Sequence, residues 1–190
     1  VDGGELSRPE KASGLELFAN AVMNGGGLKD HSNDELAAIM AGKKVGVGFS
    51  MTDRFFLLSG NTNREDLETQ LQLQTAYLMH PGYRQDGVTL LRRAIPMIYN
   101  KMDHEVQGAM KKQVPAILYR NNPRFTFPTQ EQLTSYQVKD VRDWVDAPLK
   151  NNYMEVTVTG DFRTEDIIPL LERTVGAVPK RAEAPATLDE

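Results

Sequence analysis

The chain reads as a single α+β domain, an antiparallel or mixed sheet with helices packed on one face. Three observations predict it. Val45, Val47 and Phe49 alternate with Gly46, Gly48 and Ser50, and Tyr153–Thr159 alternates β-branched residues, both with the two-residue period of a strand. Long stretches between these have apolar residues three and four apart, the period of a helix with one buried face. No proline-, glycine- or charge-rich linker divides the chain, so one domain is expected over residues 1–180. Residues 181–190 are expected to form a loose tail or interdomain linker.

Taken in order, Gly14 to Asn24 predicts a helix with Leu15, Phe18, Ala19 and Val22 toward the core and Leu17, Ala21 and Asn24 on a neighbouring stripe. Gly25 is its stop. Ser32 followed three residues later by Glu35 is a capping box opening a helix to Met40, which Gly42 closes. Val45–Ser50 and Phe55–Ser59 are strands, joined through Met51–Arg54 as a hairpin. Thr62 or Asn63 caps the next helix, whose face is Leu67, Leu71, Gln74 and Leu78, widened by Leu73 and Tyr77 and ended by Pro81-Gly82. A helix from Arg84 should bend or break at Pro96, which lacks an amide donor and crowds the preceding turn, with helix resuming from Met102 to Leu118. Asn121–Pro128 is a loop, Val138–Val145 a helix stopped before Pro148, and Tyr153–Thr159 a strand ending at Gly160-Asp161. Thr164 caps a last helix that Gly176 and Pro179 terminate.

Composition narrows the function. A net charge of −4 argues against nucleic acid, since phosphate binding needs a concentrated basic patch. The pairs Arg92-Arg93 and Lys111-Lys112 read as solvated helix faces. Without cysteine there are no disulfides, thiolate metal sites or cysteine nucleophiles. No run approaches the ~18 apolar residues of a membrane span, and no signal peptide opens the chain. The start Val1-Asp2-Gly3-Gly4, with no initiator Met, reads as a piece of something longer or a processed product.

The order of certain segments carries more than any one of them. Gly14-Leu15 opens a helix that exits at Gly25-Gly26-Gly27. Ala41-Gly42-Lys43-Lys44 follows a capped helix, and Arg64-Glu65-Asp66-Leu67 opens another after two strands. Asn122-Pro123-Arg124-Phe125 precedes Pro128-Thr129, and Val158-Thr159-Gly160-Asp161-Phe162 and Gly176-Ala177-Val178-Pro179 come near the end. In that order and spacing the chain resembles a domain of the inverzincin zinc peptidases, the insulinase/pitrilysin family, over nearly its whole length. The helix exit and the Ala41-Gly42-Lys43 turn look most like the third of the four domains found in the long family members, which is non-catalytic.

The resemblance implies an insulinase/pitrilysin-type domain with strands before its first helix. Only Val1–Leu6 precedes that helix here, so one or more N-terminal strands are expected to be missing. A catalytic family domain carries H-x-x-E-H on the first helix, two histidines binding zinc and the glutamate handling the water proton. Aligned on Gly14-Leu15, those positions are Leu17, Asn20 and Ala21, none of which can do this. The downstream carboxylate ligand would fall in Gln85–Met97, where Asp86 is the only acid. The expectation is a domain with no catalytic residue and no cofactor of its own, inside a parent whose catalytic domain holds zinc. Its partners would be the other domains of that parent and a peptide substrate enclosed between them. The alternative is a structural partner subunit of a peptidase-like complex with no proteolytic role. Family habit and the lack of cysteine suggest a bacterial periplasm or envelope.

Other candidates weigh less. His31, His80 and His104 have no helical metal-clamp spacing; His31 reads as a turn residue, His80 as part of a helix end, and His104-Glu105 points two side chains apart. Gly25-Gly26-Gly27 and Gly42-Lys43-Lys44 both follow helices, the reverse of a phosphate loop. Ser50, Ser59 and Ser135 lack a nucleophile elbow and a base. Asp161 reads as a group that satisfies amides at a helix start. The positive candidate is the strand Val45, Gly46, Val47 and Gly48. If it lies at a sheet edge it can hold an extended peptide by backbone hydrogen bonds, the glycines allowing close approach. An edge left open by missing strands is also expected to pair with a second copy of the chain.

Overall fold

A computed structural model describes residues 1–184. The elements run α1 (Leu15–Gly25), α2 (Asn33–Ile39), β1 (Gly48–Met51), β2 (Phe56–Ser59), α3 (Leu67–Met79), α4 (Gln85–His104), α5 (Val106–Leu118), α6 (Gln130–Ser135), α7 (Val138–Asn151) and α8 (Thr164–Arg173). Short 3-10 turns lie at Glu5–Ser7 and Val175–Ala177. The fold is thus mostly helical around a small antiparallel sheet, in which Gly48 faces Ser59 and Met51 faces Phe56.

The main core forms where α1, α7 and the hairpin meet. Phe56 stacks on Phe49 at 5.9 Å and meets Trp144 edge-on at 5.6 Å, with Phe18, Val22, Leu78 and Val141 closing around them. Ring pairs of this geometry add about 0.5–1.5 kcal/mol beyond the area they bury. The Trp144 indole N–H is satisfied by the Ser7 hydroxyl at 2.9 Å. α1 and α4 cross at touching distance: a Cβ on Gly87 would lie 1.9 Å from the Ala21 carbonyl oxygen, and one on Gly25 would lie 2.6 Å from the Gly87 Cα. Only glycine fits there.

The capping box at α2 forms as expected, the Ser32 hydroxyl accepting from Glu35 N–H and Ser32 N–H donating to the Glu35 carboxylate. Those bonds favour the charged carboxylate and hold Glu35 below its usual pKa. Gly42 is left-handed, φ 82°, as a helix terminator should be. α3 buries Leu71, Leu73, Tyr77 and Leu78 and ends before Pro81.

Several boundaries differ from expectation. Pro96 does not break the helix; α4 runs through it to His104 because Ile95, Tyr99 and Met102 are buried on one face and hold the turns on either side. The break comes at Glu105, whose extended backbone turns the chain so that Gly108 packs on the Met102 backbone. Pro148 likewise lies inside α7, between buried Val145 and Leu149. α6, with Leu133 buried, forms in a stretch whose sequence has no long apolar period. Thr164 is the first residue of α8 rather than its cap, which is Arg163. Asn63 accepts from Asp66 N–H at 2.8 Å, a turn before α3 begins at Leu67.

Two strand expectations need larger correction. Val45, Gly46 and Val47 lie outside β1, which starts at Gly48. Tyr153–Thr159 belongs to no ladder: a strand is defined by a paired neighbour, and most of this segment has none. The stretch expected to be loose after Lys180 starts with two tethered residues. Arg181 donates to the carbonyls of Asn152 and Lys150, and Ala182 N–H to Asn151. The rest of that expectation, from 185 to 190, lies outside the described residues. Among the described residues no helix is long and apolar enough to cross a membrane.

Candidate functional site

α1 is an amphipathic helix whose inner face, Leu15, Phe18, Ala19 and Val22, is fully committed to the core. That burial turns Leu17, Asn20, Ala21 and Asn24 toward the opposite side, so the positions matching H-x-x-E-H share one partly exposed stripe. Leu17 is an exposed apolar side chain, and Ala21 faces Gly87 of α4. Asp86 is exposed. Among the described residues no group of three or more His, Asp or Glu side chains gathers as metal ligands would.

On that stripe Asn24 is bound to the sheet backbone. Its side-chain amide donates to the Phe49 carbonyl at 2.9 Å and accepts from Phe49 N–H at 2.8 Å. The outer edge of β1 is therefore closed at Phe49 by an amide that imitates one residue of a neighbouring strand. Gln70 repeats the device two residues before β1 starts. Buried on α3, it accepts from Gly46 N–H at 2.9 Å and donates to the Gly46 carbonyl at 2.8 Å. Of the proposed peptide-binding residues, Val45 and Val47 pack beside Leu36, Leu73 and Tyr77, Gly46 is held by Gln70, and Gly48 pairs with Ser59. Neither amide clasp follows from apolar spacing; the available signal was Gln70, a polar side chain on the buried side of α3.

The remaining candidates are dispersed. The His31 carbonyl helps close the turn before α2, His80 caps α3, and His104 Nδ1 contacts the Asn100 carbonyl. The hydroxyls of Ser59 and Ser135 donate to the Gly48 and Gln132 carbonyls, with no imidazole beside them. Asp161 does not satisfy the first amides of α8; the adjoining charges there are Arg163 and Asp166, paired at 2.7 Å.

The N-terminal residues complete the sheet's other side. Val1 exchanges two hydrogen bonds with Phe56, both at 2.8 Å, and Gly3 N–H donates to the Arg54 carbonyl. The half-buried α-amino group has its pKa lowered, by desolvation first and by Arg181 second.

No protein-family model matches the chain. The chloroplastic stromal processing peptidase of Pisum sativum is 21% identical over 170 residues, 88% of this chain but 14% of that protein. Its Arabidopsis thaliana counterpart is 20% identical over the same length. Among solved structures, the periplasmic protease PqqL of Escherichia coli superposes with a TM-score of 0.73 at 19% identity, covering 97% of this chain and 20% of that one. Pitrilysin superposes with a TM-score of 0.65 at 18% identity, covering 98% and 21%. The chain thus spans about a seventh of the curated relatives and about a fifth of these two structures. In fold the chain is similar to the insulinase/pitrilysin-type domains of these proteases.

Proposed function

We propose that the chain is a non-catalytic domain of a multidomain zinc metalloendopeptidase, where it walls part of the chamber that holds the peptide. The observation that carries this reading is the α1 stripe. In a fold that otherwise matches its relatives along almost all of its length, the ligand positions are Leu17, Asn20 and Ala21, and Asn24 on the same stripe serves the sheet instead. The zinc, the activated water and the bond cleavage belong to another domain of the parent.

A second feature supports membership in a larger assembly. Val106, Met110, Val114 and Ile117 form an exposed apolar stripe on α5, Val106 at 80% and Ile117 at 74% exposure. A continuous stripe of this kind is an interaction surface more often than a feature of a free-standing domain. It suits the other domains of the parent. Peptide contact at Val45–Gly48 narrows to the backbone of Val45 and Val47, since Gly46 is already clasped. An envelope location follows the periplasmic neighbour, and the chloroplast relatives use a different compartment.

The test is zinc titration and a chelator-controlled peptidase assay on chain 1–190 beside the full-length parent. The isolated chain should bind no stoichiometric zinc and cleave nothing, and the parent should lose its activity to the chelator. Zinc-dependent cleavage by the isolated chain overturns the reading. A parent without activity assigns the chain to the partner-subunit alternative.

A further inference from the structure

Four segments meet around a cavity of about 310 Å³ where α3 hands over to α4. The turn before α2 brings Lys29, the end of α3 brings His80, and the link to α4 brings Tyr83. One face of α7 brings Arg142, Asp146 and Lys150, each four residues from the last. Backbone bonds fix the junction: Lys29 N–H donates to the His80 carbonyl and Gly82 N–H to the Gly27 carbonyl, both at 2.9 Å. Basic side chains thus outnumber the single carboxylate at this opening.

That carboxylate is already engaged. Asp146 pairs with Lys150 at 2.8 Å, so the two largely cancel. The Lys29 ammonium and the Arg142 guanidinium enter no ion pair or hydrogen bond among the described residues. Arg142 lies over the Tyr83 ring, 5.2 Å from its centre, and a guanidinium held there still has its fork of N–H donors to offer.

Tyr83 is the buried part of the arrangement. It is 8% exposed, and its left-handed backbone, φ 44°, is unfavourable to any residue with a side chain. Its hydroxyl is enclosed and has no hydrogen-bond partner among the described residues. Burial pushes the phenol pKa up, and the nearby Asp146 adds to the shift, yet that carboxylate is turned to Lys150. Packing alone would be served by a phenylalanine ring. A buried hydroxyl left without an acceptor is costly, and an oxyanion in the cavity would supply one.

We propose that this cavity is a binding site for a small dianion, a phosphate group or a dicarboxylate, whose oxygens accept from Arg142, Lys29 and the Tyr83 hydroxyl. Two uncompensated cations match two negative charges, and the Arg142 fork suits phosphate and carboxylate alike. The same two cations repel an ammonium ligand. The inference stands whether or not the parent is a peptidase.

The experiment is calorimetric titration of chain 1–190 with sodium phosphate and, separately, sodium succinate, ionic strength held constant with chloride. One of the two should give a saturable one-to-one isotherm, and which one does so names the anion. Arg142→Gln, Lys29→Gln and Tyr83→Phe should each weaken it about tenfold, the worth of one hydrogen bond to a charged group. Asp146→Asn should tighten it, and Lys101→Gln, an exposed lysine on α4 away from the cavity, should leave it unchanged. Without anion, Tyr83→Phe should not lower Tm, because it removes only an unpartnered hydroxyl. No saturable binding of either anion overturns the proposal. So does an equal loss in Lys101→Gln, which marks general attraction to a basic protein surface. A lower Tm for Tyr83→Phe overturns it as well, since the hydroxyl would then hold a bond within the fold.

Discussion

Single residues in this chain stand in for missing backbone. Asn24 and Gln70 each present an amide that donates and accepts like a peptide group, and Val1 does the same for Phe56 with a charged amine. The amine is the least suited of the three, because burial works against its charge. With its folded pKa below the ordinary value of a chain amine, the unfolded chain holds more protons than the folded one across the interval between the two. Stability should therefore rise with pH through that interval, below about pH 8, and level off above it. Acetylating Val1 keeps an N–H for the Phe56 carbonyl and removes the charge. The acetylated chain should match the free chain above pH 8 and exceed it below, read as the difference between two urea-unfolding series. A difference that does not change with pH contradicts the assignment. Arg8 is also buried, but it is paired with Glu16 and donates to the carbonyls of Ala12 and Arg124, so its charge is compensated where it lies.

At the scale of elements, the clasp by Gln70 links α3 to the entry of β1. Gln70→Leu keeps the volume and removes both bonds to the exposed Gly46, which should cost about 0.5–1.5 kcal/mol of unfolding free energy. Amide exchange at Gly46 and Val47 should accelerate with it, while that of Phe49, held by Asn24, stays as it was. Unchanged stability would mean that water serves Gly46 equally well. The same clasps explain what was legible in the sequence. The faces of α1 and α3 followed from apolar spacing, and the α2 cap from Ser32 and Glu35, because those signals are local. The continuity of α4 through Pro96 and of α7 through Pro148 was not, since burial of Ile95, Tyr99 and Leu149 outweighs the one hydrogen bond each proline removes. Tyr153–Thr159 has the β-branched pattern of a strand, but pattern alone does not supply a neighbour, and beyond the bond from Asp2 to Tyr153 this segment joins no ladder among the described residues. Of the candidate site, the partly exposed stripe of Leu17, Asn20 and Ala21 on α1 was readable from helical spacing. The clasps were not, because a polar residue on a helix face does not say which distant backbone it will meet.

For the whole molecule, the division between sealed and unsealed surface is the main physical fact. The hairpin, α1, α3 and α7 enclose aromatic and branched side chains around Phe56 and Trp144, whereas α5 turns Val106, Met110, Val114 and Ile117 outward. Exposed side chains at these four positions contribute little to folding, so replacing Val106 and Ile117 together by Lys should change the unfolding free energy by no more than ~0.5 kcal/mol per site. If α5 meets the other domains of the parent, the same double substitution should sharply weaken association when chain 1–190 is mixed with the rest of the parent, because each lysine would be driven into an apolar contact without a counter-charge. Calorimetric titration of the two pieces measures this directly. An affinity that survives V106K/I117K moves the interdomain contact off α5. A large drop in Tm for the variant alone would instead show that the stripe is sealed against the domain's own core in solution.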